Sequence, residues 1–301
     1  MRQLELFRDA PRHYIMAVER LGWLDFIGVD TALEAHRRVF PGGPDPGPVE
    51  RAARWLRDAV PPVPGPEAGA DALALCRLLA EGRAPEPFLR ERPDLCLRAA
   101  SRVAAVFLGA ARSRGSPLDA PLAQGLPWGV FALWTGEWHE ARAALEAAVR
   151  RDPEAGMAWL ALGDALVGLG RPQAARAAYR EGFGLLPREE AWAVADPELP
   201  RRRAELRSEE AWAGPWWAVG AYEEDVFPRY GRLGPLDLEA RAARFHRLWE
   251  RGRAPEAFFQ GLAISEQGAQ APLDLCTGVR RRMRELRPEA FHRHMERRGA
   301  R

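Results

Sequence analysis

Residues 159–187 read WLALGDALVGLGRPQAARAAYREGFGLLP, and residues 125–153 read GLPWGVFALWTGEWHEARAALEAAVRRDP. Set one over the other with a shift of 34 residues, they align at small, aromatic and proline positions. Trp159, Leu162, Gly163, Leu166, Gly170, Ala175, Tyr179 and Pro187 fall on Gly125, Trp128, Gly129, Ala132, Gly136, Ala141, Leu145 and Pro153. A fixed period of this size marks one supersecondary unit repeated along the chain. Gly129 and Gly163 let the first helix of each unit approach the second closely, and Ala141 and Ala175 do the same from the other side. Pro153 and Pro187 end one hairpin and help to start the next. Asp152-Pro153-Glu154 reads as an N-cap, a proline at the first helical position and an acid in the first turn.

These anchors resemble the tetratricopeptide repeat, whose pattern asks for a Trp or Leu, a Leu-Gly pair, an aromatic, two small residues, a second aromatic and a closing Pro. The second copy follows the pattern nearly throughout, with Leu166 in place of an aromatic and Gly182 in place of the late small Ala. The first copy departs at its start, where Gly125 takes the Trp position. The resemblance covers residues 122–187. It implies an all-α fold of antiparallel helical hairpins, stacked as a right-handed superhelix with flanking helices. It also implies a groove lined by inward positions of the first helices: Leu126, Val130, Leu133 and Trp134, then Met157, Leu160, Asp164 and Val167. That lining is apolar and suits an amphipathic helix or an extended apolar peptide of a protein partner. The chain's own C-terminal helices are the other candidate to fill it.

Two hairpins need neighbours to cover their apolar faces, so the flanks are expected to be helical. Breakers stand at 41–48 (PGGPDPGP), 61–66 (PPVPGP) and 115–117 (GSP). Between them, helices are expected over 13–20, 26–40, 48–60, 69–81 and 94–112, the last with Leu95, Ala99, Val103, Val106 and Phe107 on one face. Residues 13–41, closing at Pro41, resemble a degenerate hairpin of the same family. The chain thus divides into an N-terminal helical segment (1–60), a helical module (66–114), two repeats (120–187) and a C-terminal helical module with a basic tail (188–301). Residues 82–88 (GRAPEPF) and 252–258 (GRAPEAF) nearly repeat, each after an Arg-Leu pair. They fit a duplicated module, or coincidence in a chain rich in Arg, Ala and Pro.

Composition narrows the function. Apolar residues make up 47% and charged residues 29% of 301, which is globular usage with enough chain to bury a core. There is no Lys and no Asn, so all 44 basic side chains are Arg. Chemistry built on a phosphate-loop or Schiff-base lysine is excluded, as is N-glycosylation. Cys76, Cys96 and Cys276 are far apart and form no CxxC pair, which suits a reducing cytoplasm and no metal site. No signal peptide is expected before the first helix, since residues 1–12 are polar and contain Pro11, and no apolar run approaches the ~20 residues that span a membrane. A net charge of +2 implies no polyanion partner by itself. No cofactor motif and no metalloprotease, hydrolase-elbow or phosphate-loop signature is present.

Three features remain. Gln3-Leu4-Glu5-Leu6-Phe7 resembles the pentapeptide by which bacterial proteins dock on the sliding clamp of the replicative polymerase. The resemblance implies polar contacts by Gln3, pocket-filling by Leu6 and Phe7, and support from Leu4. The same apolar side chains could instead cap the chain's first helix pair. The tail 280–301 carries nine Arg against three Glu, and Arg280, Arg281, Arg284 and Arg287 could meet phosphates; a solvated helix face is the simpler account. Trp212, Trp216, Trp217 and Tyr222, beside Glu223, Glu224 and Asp225, read as packing between helices or as a patch for a cation or a base. His292 and His294 are two apart, so on a helix they do not share a face. The function expected is a non-catalytic adaptor of a bacterial cytoplasm that holds a protein or peptide partner. The alternatives are a nucleic-acid-associated protein using the tail, and an enzyme on a helical scaffold with converging acids or histidines in a deep pocket.

Overall fold

The computed structural model describes residues 2–62, 66–123, 125–187, 194–267 and 270–299, with side chains from residue 12 onward, Pro66 excepted. The chain is all-α. Among the described residues the only strands are Pro121–Ala123 (β1) and Leu126–Pro127 (β2), which pair antiparallel. No helix among them is long and apolar enough to cross a membrane. Two compact units form, Met1–Ala147 and Ala148–Glu190 with Val194–Arg301.

In the first unit the helices are α1 (Arg2–Gly22), α2 (Phe26–Val39), α3 (Gly47–Ala59), α4 (Pro66–Ala80), α5 (Pro87–Arg90), α6 (Pro93–Ser113), α7 (Ala132–Thr135) and α8 (Trp138–Arg151). The boundary between the units falls inside α8. Helix α1 begins well before the expected 13–20, whereas α2, α3, α4 and α6 match their expected spans closely. Asp25 caps α2 by accepting from the Gly28 N–H at 2.9 Å. Helix α6 is the centre of this unit and packs on α1, α4 and α7. Its buried residues Leu95, Cys96, Ala99, Ala100, Val103, Ala104, Phe107, Leu108 and Ala111 form one stripe of helical period. Val106, expected on that face, is instead 44% exposed, at the edge of the stripe.

The first repeat departs from expectation. Its first helix is cut down to a 3₁₀ turn, Trp128–Phe131, and the four-residue α7. Pro121 and Pro127 have no N–H to give a helix, and Gly125 turns the chain at φ +76° between β1 and β2. The hairpin contact survives: a Cβ on Gly129 would lie 2.3 Å from that of Ala144 on α8.

The second unit holds α9 (Gly156–Gly168), α10 (Pro172–Leu185), α11 (Leu199–Ser208), α12 (Trp217–Glu223), α13 (Pro235–Glu250), α14 (Ala254–Glu266), α15 (Leu273–Leu286) and α16 (Pro288–Gly299). Helices α9 and α10 form the complete second repeat, and α12 and α14 pack on α10. Phe183 of α10 meets the Trp217 ring edge-on at 4.8 Å, and Trp217 Nε1 donates to the Pro187 carbonyl at 2.9 Å. Trp212, Trp217 and Tyr222 of the aromatic cluster are therefore core, and Trp216 is half-buried.

Helices α13 and α14 make a further hairpin with the same turn. Gly170 and Gly252 both sit in the left-handed region, at φ +68° and +67°, and each ends its helix with the same pair of backbone bonds. Ala175 and Ala257 stand five residues after these glycines, and both are fully buried. The large and small partners are exchanged. Gly163 and Tyr179 face each other in α9–α10, and Phe245 and Gly261 hold the same two offsets in α13–α14. A Cβ on Gly261 would lie 3.1 Å from Phe245 Cε2 and 2.7 Å from Met283 Sδ.

Candidate partner-binding surfaces

Helix α9 is apolar on every face, and from Gly156 to Leu166 only Trp159 is part-exposed. A helix of that kind is a central one and not the wall of a groove. Met157, Leu160 and Asp164 are accordingly buried, at 7%, 0% and 8% exposure, and only Val167, at the end of α9, is half-buried. Leu126, Val130 and Leu133 in the first unit are buried as well, leaving Trp134 half-buried. Within each unit, the positions expected to line a groove are therefore buried or half-buried. The physical reason lies in the helices themselves: α7 is a single turn, and α9 has no polar face to turn outward.

Asp164, the one charged residue among the eight, has a structural partner. Its Oδ1 accepts from the Tyr179 hydroxyl at 2.6 Å and from the Ala195 N–H at 2.7 Å. Burial and the Asp164 charge together hold the Tyr179 phenol well above the usual range, so it stays a donor. The outer side of α10 is closed by its own unit. Arg180 Nη1 donates to the carbonyls of Pro228 and Arg229 at 2.7 and 2.9 Å, and its guanidinium lies 3.8 Å from the Tyr230 ring centroid. Arg241 of α13 lies 4.6 Å from the same centroid and donates to Glu181 at 2.8 Å.

The basic tail is α15 and α16, and its arginines divide. Arg280 donates to the Ser265 hydroxyl and carbonyl at 3.2 and 3.0 Å, and Arg287 lies over the Trp216 ring at 4.7 Å. Arg281 and Arg284 are exposed. The four expected phosphate contacts are not brought to one surface role: two hold the fold together, and two face outward.

A polar interior cluster is invisible in the sequence because its members come from four helices. Arg280 (α15) donates to Ser265 (α14), whose Oγ lies 3.2 Å from His294 Nε2 (α16). His294 Nδ1 lies 2.9 Å from Glu223 Oε1 at the end of α12. A carboxylate partner on Nδ1 makes that nitrogen a donor, and Nε2 is paired with the Ser265 hydroxyl. Ser265 is fully buried, and both ring nitrogens of His294 are engaged, so the chain of bonds ties four helices together. Beside it lies a cavity of about 190 Å³ lined by Arg229, Tyr230, Glu266, His294, Arg297 and Arg298. Its charges are largely paired: Arg229 with Asp225 and Glu266, and Arg297 with Glu224. His292 is exposed, apart from His294, and among the described residues no group of His, Cys, Asp and Glu could hold a metal ion. The side chains of Gln3, Leu4, Leu6 and Phe7 lie outside the described residues; their backbone falls within α1.

Residues 132–184 match the family model of the tetratricopeptide repeat. No curated protein and no solved structure matches the chain.

Proposed function

We propose, from the premise that residues 132–184 are tetratricopeptide repeat, that this chain is a non-catalytic scaffold for protein–protein interaction. The match to a family of interaction repeats carries the reading. The packing of α9–α10 supports it, with Gly163 against Tyr179 and Ala175 buried at the hairpin crossing as the repeat pattern asks. The polar interior supports it too, because His294, which meets a carboxylate and a hydroxyl, is locked between helices. Since most of the predicted inner positions are buried, the partner is held elsewhere on the surface and not at those positions.

The finer reading, docking on the sliding clamp through Gln3, Leu4, Leu6 and Phe7, rests on the pentapeptide alone. The test separates the two levels. The full chain and one lacking residues 1–8 are used to capture proteins from nuclease-treated extract, and each is then titrated with purified clamp. Clamp binding by the full chain and its loss on truncation would establish the docking. If the clamp binds neither form while another protein is retained stoichiometrically by both, the pentapeptide is packing and the scaffold stands. If nothing is retained by either, the scaffold reading fails.

A further inference from the structure

The tetrapeptide Pro-Leu-Asp-Leu occurs twice, at 235–238 and 272–275, and each copy opens a long helix: α13 starts at Pro235 and α15 at Leu273. The fold brings the two copies to one place. Pro235 and Leu238 from one, and Pro272 and Leu275 from the other, line a single cleft of about 510 Å³ together with Leu233. The second residue of each copy stands out of the surface beside it, Leu236 at 80% and Leu273 at 79% exposure. Few apolar side chains of the chain are as bare. An apolar cleft whose lining residues are followed in the chain by bare leucines has the character of an interaction face.

The cleft wall is built in advance. Gln267, itself buried, accepts from the Leu233 N–H at 2.9 Å and donates to the Gly231 carbonyl at 3.2 Å, which fixes the loop that leads into α13. The rim is acidic. Asp237 and Asp274 are exposed in the first turns of the two helices, and Glu239 lines the cleft. Among the described residues none of these three acids makes an ion pair, although the chain carries 44 arginines. Arg232 is the one basic residue in the lining. Helix dipoles account for the two aspartates. They do not account for the two bare leucines, nor for a twofold echo of one tetrapeptide around one cleft.

We propose that this cleft is a docking site for a partner protein segment that inserts leucine-type or aromatic side chains between the two Pro-Leu-Asp-Leu starts and flanks them with Lys or Arg. The acidic rim selects the basic flank and repels nucleic acid and anionic lipid. The inference rests on the scaffold reading and gives it a place.

The test selects peptides from a random twelve-residue library on the immobilised full chain. A double variant, Leu236→Glu with Leu273→Glu, serves as control; both positions are largely exposed, and matching far-ultraviolet dichroism checks its fold. The expected result is enrichment of apolar peptides with net positive charge, bound about tenfold or more weakly by the variant. A charge variant, Asp237→Arg with Asp274→Arg, should turn selection toward acidic peptides. Peptides that bind chain and variant equally would overturn the site and leave the scaffold reading intact. Absence of any selected peptide would count against both. Concentration-dependent dimerisation abolished by the leucine variant would mean that a second copy occupies the cleft, and the proposal would fall.

Discussion

Gly163 and Tyr179 meet so closely that a Cβ on the glycine would lie 2.2 Å from the tyrosine Cε1. The ring is fully buried and its hydroxyl is tied to Asp164, so it has no room to retreat. Gly163→Ala should therefore destabilise the chain by about 1–3 kcal/mol, although alanine favours a helix over glycine by about 1 kcal/mol. Denaturant unfolding of the variant checks this, and an unchanged or raised midpoint would show that the hairpin can open without cost.

The exchanged pair in α13–α14 makes a separate prediction. Phe245 is fully buried and fills the space that Gly261 leaves. Phe245→Ala should cost about 3–5 kcal/mol, the range for removing a buried aromatic ring. Gly261→Ala should cost less than Gly163→Ala, because its nearest neighbour is the flexible thioether of Met283. The order of the two glycine variants in thermal melts is the measurement.

His294 is the partner of a carboxylate that is 1% exposed. Its removal leaves Glu223 with one distant arginine, Arg229 at 3.9 Å. His294→Ala should destabilise by about 3–5 kcal/mol. Glu223→Gln in the same background should recover part of that loss. A double-mutant cycle in urea reads the coupling, and strictly additive costs would refute the linkage.

All four tyrosines have phenols held above their usual range, chiefly by burial, with Asp164 beside Tyr179 and Glu266 beside Tyr222 adding to it. Burial favours the neutral form, so the folded chain keeps these protons where the unfolded chain releases them. That stabilisation is complete below the unfolded value of about 10 and declines as pH rises above it. Phenolate absorbance near 295 nm should appear in step with loss of helical dichroism, and ionisation of Tyr179 or Tyr222 in a still-folded chain would contradict the geometry.

The sequence was most legible where packing repeats at a fixed offset. Gly163, Ala175, Tyr179 and Gly170 announced α9–α10 because each type is dictated by one contact or one turn. The same offsets govern α13–α14, and GRAPEAF at 252–258 carries its turn, but Phe245 and Gly261 stand in each other's places and so escape a pattern of residue types. GRAPEPF at 82–88 shares the left-handed glycine, at φ +64°, yet leads through α5 into α6. The short α7 is hidden in the sequence because Gly125, aligned with the Trp position of the repeat, is a turn residue and not a helical anchor. The burial of the expected groove positions escapes the sequence for a subtler reason: an apolar position on a repeat helix looks the same in sequence whether it faces a partner or the interior. The Glu223–His294–Ser265–Arg280 chain and the Pro-Leu-Asp-Leu cleft join residues from different helices, and only the fold brings them together.

The unit boundary inside α8 bears on how this chain can change over generations. Repeat arrays ordinarily lengthen or shorten by whole copies, since each copy leans only on its neighbours. Here the matched stretch, 132–184, spans the boundary between the two units at Ala147 and Ala148. A copy gained or lost there would disturb both units at once, so a change in repeat number should be tolerated less readily than a change of surface side chains.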